Sequence, residues 1–95
     1  MIVLTEPLFA LGRLVATPGA IDALAESGVP IWTLVSCHVA GDHGSLDADD
    51  LRANEAAIRH GGRILSSYRL PDGVDVWLLT EADRSSTTAL LPSEY

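Results

Sequence analysis

Arg63-Ile64-Leu65-Ser66-Ser67-Tyr68-Arg69-Leu70-Pro71-Asp72-Gly73-Val74-Asp75-Val76-Trp77-Leu78-Leu79-Thr80 is the stretch that decides the fold. Two runs rich in β-branched, aromatic and leucine residues, 63–70 and 74–80, flank Pro71-Asp72-Gly73. Proline presets the first turn position, aspartate bonds its own backbone two residues on, and glycine accepts a positive φ. The stretch predicts a β-hairpin. In its second arm Val74, Val76 and Leu78 alternate with Asp75, Trp77 and Leu79, so one set faces the core and the other is partly covered or exposed. Trp77 is the residue of that second set best able to anchor a partner.

Downstream, residues 81–86 form a polar turn, and 87–91 form a last strand ended by Pro92. Upstream, Gly61-Gly62 stops a helix over 48–60, which Asp47 and Asp50 start in a capping-box pattern with Asp in place of Glu. Its apolar stripe is thin, so it belongs on the surface. Before it, Gly41-Asp42-His43-Gly44-Ser45 is a turn. Ile31, Leu34, Val35 and His38 fall on one face of a second helix that ends near Ala40-Gly41. Thr17 and Pro18 open a first helix, closed by Gly28. Residues 9–16 are expected as a strand. The order is β-α-α-α-β-β-β: an α+β domain in which a small antiparallel sheet, a three-stranded C-terminal meander plus the N-terminal strand, is packed with two to three helices.

At 95 residues the chain has the length of one domain, enough to bury about 60 to 70% of the unfolded surface. Its apolar share of 47%, with few aromatics, calls for a core of Leu, Val, Ile and Ala. One cysteine, Cys37, forms no internal disulfide and points to a reducing cytosol. Residues 1–4 are apolar but meet Glu6 and Pro7 at once, and are far shorter than the ~20 residues a membrane span requires. Neither an export signal nor a membrane segment is expected.

Thirteen carboxylates face six arginines and no lysine, a formal charge of −7 at pH 7. Phosphate backbones are bound by cations, so nucleic acid is not an expected direct ligand, and a basic protein or ribonucleoprotein surface is. Asp42, Asp47, Asp49, Asp50 and Glu55 gather much of the surplus with Arg52 alone among them. Helix capping accounts for one or two of these acids and leaves the rest available to a basic groove.

Chemistry is sparse. His38, Asp42, His43 and Cys37, with His60 farther on, are the metal-type residues, but the paired close spacing of a structural zinc site is missing. The simpler reading packs His38 on a helix face and leaves His43 in the turn. Cys37 and His38 are neighbours on a helix and point apart, which rules out a nucleophile pair; a buried, inert Cys37 is expected. The turn holding Glu81, Asp83 and Arg84 most resembles a catalytic loop and makes a small hydrolase or metal-assisted enzyme the alternative reading, yet Arg84 paired with Glu81 or Asp83 explains the turn more simply. No catalytic residue, metal or cofactor is therefore assigned, and the expected partner-binding residues are Asp42, Asp47, Asp49, Asp50, Glu55, Trp77, Glu81 and Asp83. A short sheet also leaves an edge that a second copy could extend.

Leu11-Gly12-Arg13-Leu14-Val15-Ala16-Thr17-Pro18-Gly19-Ala20 and much of the chain from His38 onward carry a family resemblance. Its carriers there are His38, Gly41-Asp42, Gly44, Leu46-Asp47, Asp50, Asn54, Gly62 to Ser66, Tyr68, Trp77, Thr80 to Arg84, Thr87-Thr88 and Leu90 to Tyr95. On these residues the chain resembles a family of small bacterial proteins associated with plasmids and phages, often labelled plasmid-related. The resemblance implies a mobile-element setting, in which small acidic proteins that block host defence complexes of CRISPR or restriction type recur. It implies no catalytic residue; replication or plasmid maintenance is the other role it suggests.

Overall fold

The computed structural model describes residues 6–95, so the apolar opening, residues 1–4, lies outside the described residues. The chain runs β1 (Arg13–Ala16), α1 (Pro18–Ser27), α2 (Ile31–Val39), α3 (Ala48–His60), β2 (Ile64–Arg69), β3 (Asp75–Thr80), β4 (Ser86–Leu90) and a short 3-10 turn, Pro92–Glu94. This is the α+β order read from the sequence. Among the described residues no helix is long and apolar enough to cross a membrane.

The caps behave as their chemistry demands. Thr17 Oγ1 accepts from the Ala20 amide, and Gly28, at φ 70, closes α1. Asp47 accepts from the Asp50 amide at 2.8 Å and starts α3. In the hairpin, Leu70 N donates to Val74 O at 2.8 Å and Gly73 N to Leu70 O at 2.9 Å.

The four strands lie in the order β1-β4-β3-β2. The C-terminal meander is antiparallel as expected, but β1 joins β4 in parallel, so the sheet is mixed rather than antiparallel. The chain leaves β1 directly into α1, which must fall back over the same face that α2 and α3 cover. That requirement, rather than any local signal, sets the direction of β1. The strand is also shorter than expected. Gly12, at φ 65, turns residues 9–12 out of line, and a Cβ there would collide with the backbone of Arg84 and Ser85.

Alternation sorts the sheet into two faces. Tyr68, Val76, Leu78 and Ala89 pack with Ala20, Leu24, Leu34 and Val35 of α1 and α2, while Ile64 packs with Ala57 of α3 and with Phe9. All three helices therefore cover one face. The opposite face carries Leu65, Ser67, Trp77, Leu79, Thr88 and Leu90. Across it lies the C-terminal turn, whose Tyr95 ring sits 5.8 Å from that of Trp77.

Candidate functional site

The densest polar chemistry lies between α2 and the helix-bearing face of the sheet. His38 and Ser66 are fully buried, as are Thr80 and Thr87, and His43 is 6% exposed. His38 Nδ1 lies 2.6 Å from Ser66 Oγ, and His43 Nδ1 lies 2.8 Å from the same oxygen. His38 Nε2 lies 2.8 Å from Thr80 Oγ1, which is 2.7 Å from Thr87 Oγ1. The chain ends where Thr87 Oγ1 donates to the Leu11 carbonyl at 2.8 Å.

That carbonyl only accepts, so it orders every proton behind it. Each hydroxyl has one proton to give. Thr87 spends its proton on Leu11, so Thr80 donates to Thr87 and must accept from His38 Nε2–H. Neutral His38 then accepts at Nδ1 from Ser66, which accepts in turn from His43 Nδ1–H. Burial, with His43 beside it, holds the His38 pKa down to about 4, which keeps the imidazole neutral. Burial also lowers His43, against an opposing pull from Asp42.

A serine hydroxyl donating to an imidazole has the composition of a nucleophile and its base. Here Ser66 is fully buried beneath α2 and bonded from both sides, so no substrate carbonyl reaches it. The expectation that His43 is a plain turn residue is corrected: the isolated bridge between Gly44 and Ser67 draws its loop onto β2. Ser66, Thr80 and Thr87 were missed in the sequence. Their one signal there is that small hydroxyl residues occupy core-facing positions of three adjacent strands.

Cys37 is half-buried, and desolvation followed by the Asp42 charge raises its thiol pKa, which keeps it protonated. Among the described residues no group of three or more His, Cys, Asp or Glu side chains is placed to hold a metal ion.

The Glu81, Asp83 and Arg84 turn does not converge. Arg84, at φ 60, aims its guanidinium inward at the carbonyls of Ala57, Gly62, Glu81 and Ala82. The expected pairing of Arg84 with Glu81 or Asp83 is therefore corrected. The carbonyls at the end of α3 need donors, and a cation there also suits the helix dipole. Glu81 pairs with Arg63 instead, at 3.1 Å. Asp83 accepts from the Ser85 amide at 2.9 Å, and its bonds to Ser85 hold its pKa below the usual carboxylate range.

The expected partner-binding residues fall into separate groups. Asp47, Asp49, Asp50 and Glu55 belong to α3 and its cap. Asp49 pairs with Arg52, and Glu55 pairs with Arg59 at 2.7 Å. Asp42 is exposed and accepts from the Gly44 amide at 3.2 Å. Among the described residues Asp42, Asp47 and Asp50 have no ion-pair partner. Trp77 and Glu81 lie on the opposite face of the sheet from the helices, and Asp83 lies in the β3–β4 turn. Of thirteen carboxylates, four are held in ion pairs with Arg52, Arg59, Arg63 and Arg69, and nine carry no guanidinium among the described residues.

An open apolar hollow of about 520 Å³ lies beside the N-terminal arm, lined by Pro7, Phe9, Ala10, Leu11, Gly12 and Val39. None of those side chains carries a polar group to orient a small ligand. No family model, no curated protein and no solved structure matches the chain.

Proposed function

We propose that the chain is a non-enzymatic acidic interaction protein of a mobile genetic element. In this reading it inhibits a host nucleic-acid-handling defence complex, of CRISPR or restriction type, by occupying a basic surface. One observation carries the proposal: Asp42, Asp47 and Asp50 lie exposed within nine residues of one another and without a guanidinium partner. The pairing of Asp49 and Glu55 with α3's own arginines concentrates the usable charge at the loop and first turn of α3, rather than along the whole helix. There the Gly44 and Asp50 amides hold the Asp42 and Asp47 carboxylates in place beside Asp50, so a basic partner meets a partly preorganised anionic surface. The burial of Ser66, His38 and Thr80 supports a binding role over catalysis.

The test uses Asp42→Asn, Asp47→Asn and Asp50→Lys together. Asparagine keeps the acceptor oxygens that hold Gly44 and cap α3, so charge changes while the fold is spared. The wild-type chain should capture from host lysate a complex that added DNA releases, and the triple variant should capture none. Capture that survives the substitutions, or that DNA does not compete, refutes the electrostatic reading.

A further inference from the structure

We propose that the chain forms a twofold-symmetric homodimer in which β1 pairs antiparallel with β1 of a second copy, joining two four-stranded sheets edge to edge. A sheet has two edges, and among the described residues the β1 edge is the less covered of the two.

The β2 edge is covered by the chain itself at Leu65 and Ser67. Asn54 reaches from α3, donates to the Leu65 carbonyl at 2.6 Å and accepts from the Leu65 amide at 3.0 Å. Two residues on, Ser67 N donates to His43 O at 3.0 Å, and Ser45 N donates to Ser67 O at 2.9 Å. Gly44, at φ 73, makes that approach possible, because a Cβ would fall on the Ser67 carbonyl oxygen. The outward groups of Leu65 and Ser67 are thus both satisfied.

The β1 edge has no such cover among the described residues. Arg13 N donates to Ser85 O and Thr17 N to Ala89 O, so the amides of residues 13, 15 and 17 and the carbonyls of 13 and 15 turn to β4, while the Thr17 carbonyl accepts from Ile21 N. Leu14 and Ala16, between them, aim theirs outward. An antiparallel twin centred on Val15 satisfies all of these groups at once. Leu14 exchanges both backbone bonds with the second copy's Ala16, Ala16 does so with its Leu14, and the two Val15 residues face each other as the non-hydrogen-bonded pair. Val15 is 38% exposed, and this pairing covers it.

Charge selects a second copy over an unrelated strand. Arg13 has no ion pair among the described residues. In this register it stands opposite the second copy's Thr17, on the same face. Thr17 Oγ1 donates to Glu94 Oε1 at 2.5 Å, and Glu94 also accepts from Gly19 N at 3.2 Å. Each copy therefore brings its unpaired guanidinium beside the other's fixed carboxylate, twice over by symmetry. The like net charges of the two copies are screened beyond ~8 Å at physiological ionic strength, whereas these contacts are closer than that.

The experiment measures mass by sedimentation equilibrium at high micromolar chain and physiological salt, with three variants. Val15→Cys in a Cys37→Ser background should cross-link on mild oxidation, since Cα atoms of a non-hydrogen-bonded pair sit ~4.5 Å apart, within disulfide reach. Ala16→Pro removes an outward amide that has no partner among the described residues and should yield a monomer. Arg13→Glu should raise the dimer Kd about tenfold or more, because it sets like charges together. A wild-type monomer under these conditions overturns the proposal, as does a dimer that fails to cross-link through Val15→Cys. If Ala16→Pro loses its circular dichroism, the cross-link and Arg13→Glu decide.

Discussion

Lowering pH should destabilise this fold well before its carboxylates begin to protonate, because the polar core is built around neutral imidazoles. His38 titrates at about 4 when folded and near ~6.5 when unfolded. Between those values the unfolded chain binds more protons than the folded one, so stability falls as pH falls. Contributions are complete above the unfolded value and lost through the window down to about 4. The difference corresponds to about 3 kcal/mol from His38 alone, a large share of the ~5–15 kcal/mol that holds a small domain. His43 adds loss in the same direction, tempered by Asp42. The other groups around the site are Cys37, Asp42 and Tyr68, with Arg84 over the ring of Phe9, which meets His38 edge to face. Both Cys37 and Tyr68 are shifted upward and stay protonated throughout the window. The carboxylates of Asp75, Asp83 and Glu94 are held low by their donors, so their losses come in a separate, more acidic window. Urea unfolding followed by tryptophan fluorescence between about pH 7.5 and pH 4.5 measures the effect. His38→Gln, which can accept from Ser66 and donate to Thr80 without titrating, should flatten most of the slope. A wild-type stability that is constant across that range, or an unchanged slope in His38→Gln, refutes the reasoning.

Three further outcomes are expected. Arg84→Met should cost about 2–3 kcal/mol, since four backbone carbonyls lose a charged donor, and Arg84→Lys should recover little because an ammonium cannot fan across them; thermal melts decide both. Gly44→Ala should cost more than ~3 kcal/mol, as a strained φ and a collision with Ser67 act together, whereas Gly73→Ala, at a positive φ but in open space, should cost only about 1 kcal/mol. Asn54→Ala should cost about 2 kcal/mol and, by uncovering the β2 edge, bring concentration-dependent aggregation visible in light scattering; a soluble, equally stable variant contradicts the edge-closing role.

Local chemistry made much of this fold legible. Thr17-Pro18 and Asp47 start helices where their side chains satisfy orphan amides, and Pro71-Asp72-Gly73 turns the hairpin, because each of these signals acts over four residues or fewer. Ala48–His60 is bounded as the sequence indicates. The site was less legible. His38 was visible on a helix face, but nothing near it in the chain announces Ser66 or Thr80, which come 28 and 42 positions later. Sequence proximity pairs Arg84 with its nearest acids, while in the fold it bonds carbonyls of its own turn together with those of Ala57 in α3 and Gly62 just beyond it. Trp77 and the α3 acids look like one interaction set in a list of residues, and the sheet itself separates them.

By itself the sequence determined the elements, their order, the alternation that buries Val76 and Leu78, and the charge of −7, since these depend on residue type and short-range spacing. Only the tertiary structure decided that β1 lies parallel to β4, that Asn54 and the loop at Gly44 cover Leu65 and Ser67 on one edge while Leu14 and Ala16 have no such cover on the other among the described residues, and that two histidines share one serine. Those arrangements depend on backbone groups and side chains meeting across 11 to 73 positions of chain. No local pattern encodes such meetings, because they are fixed by whatever packing satisfies every buried donor and acceptor at once.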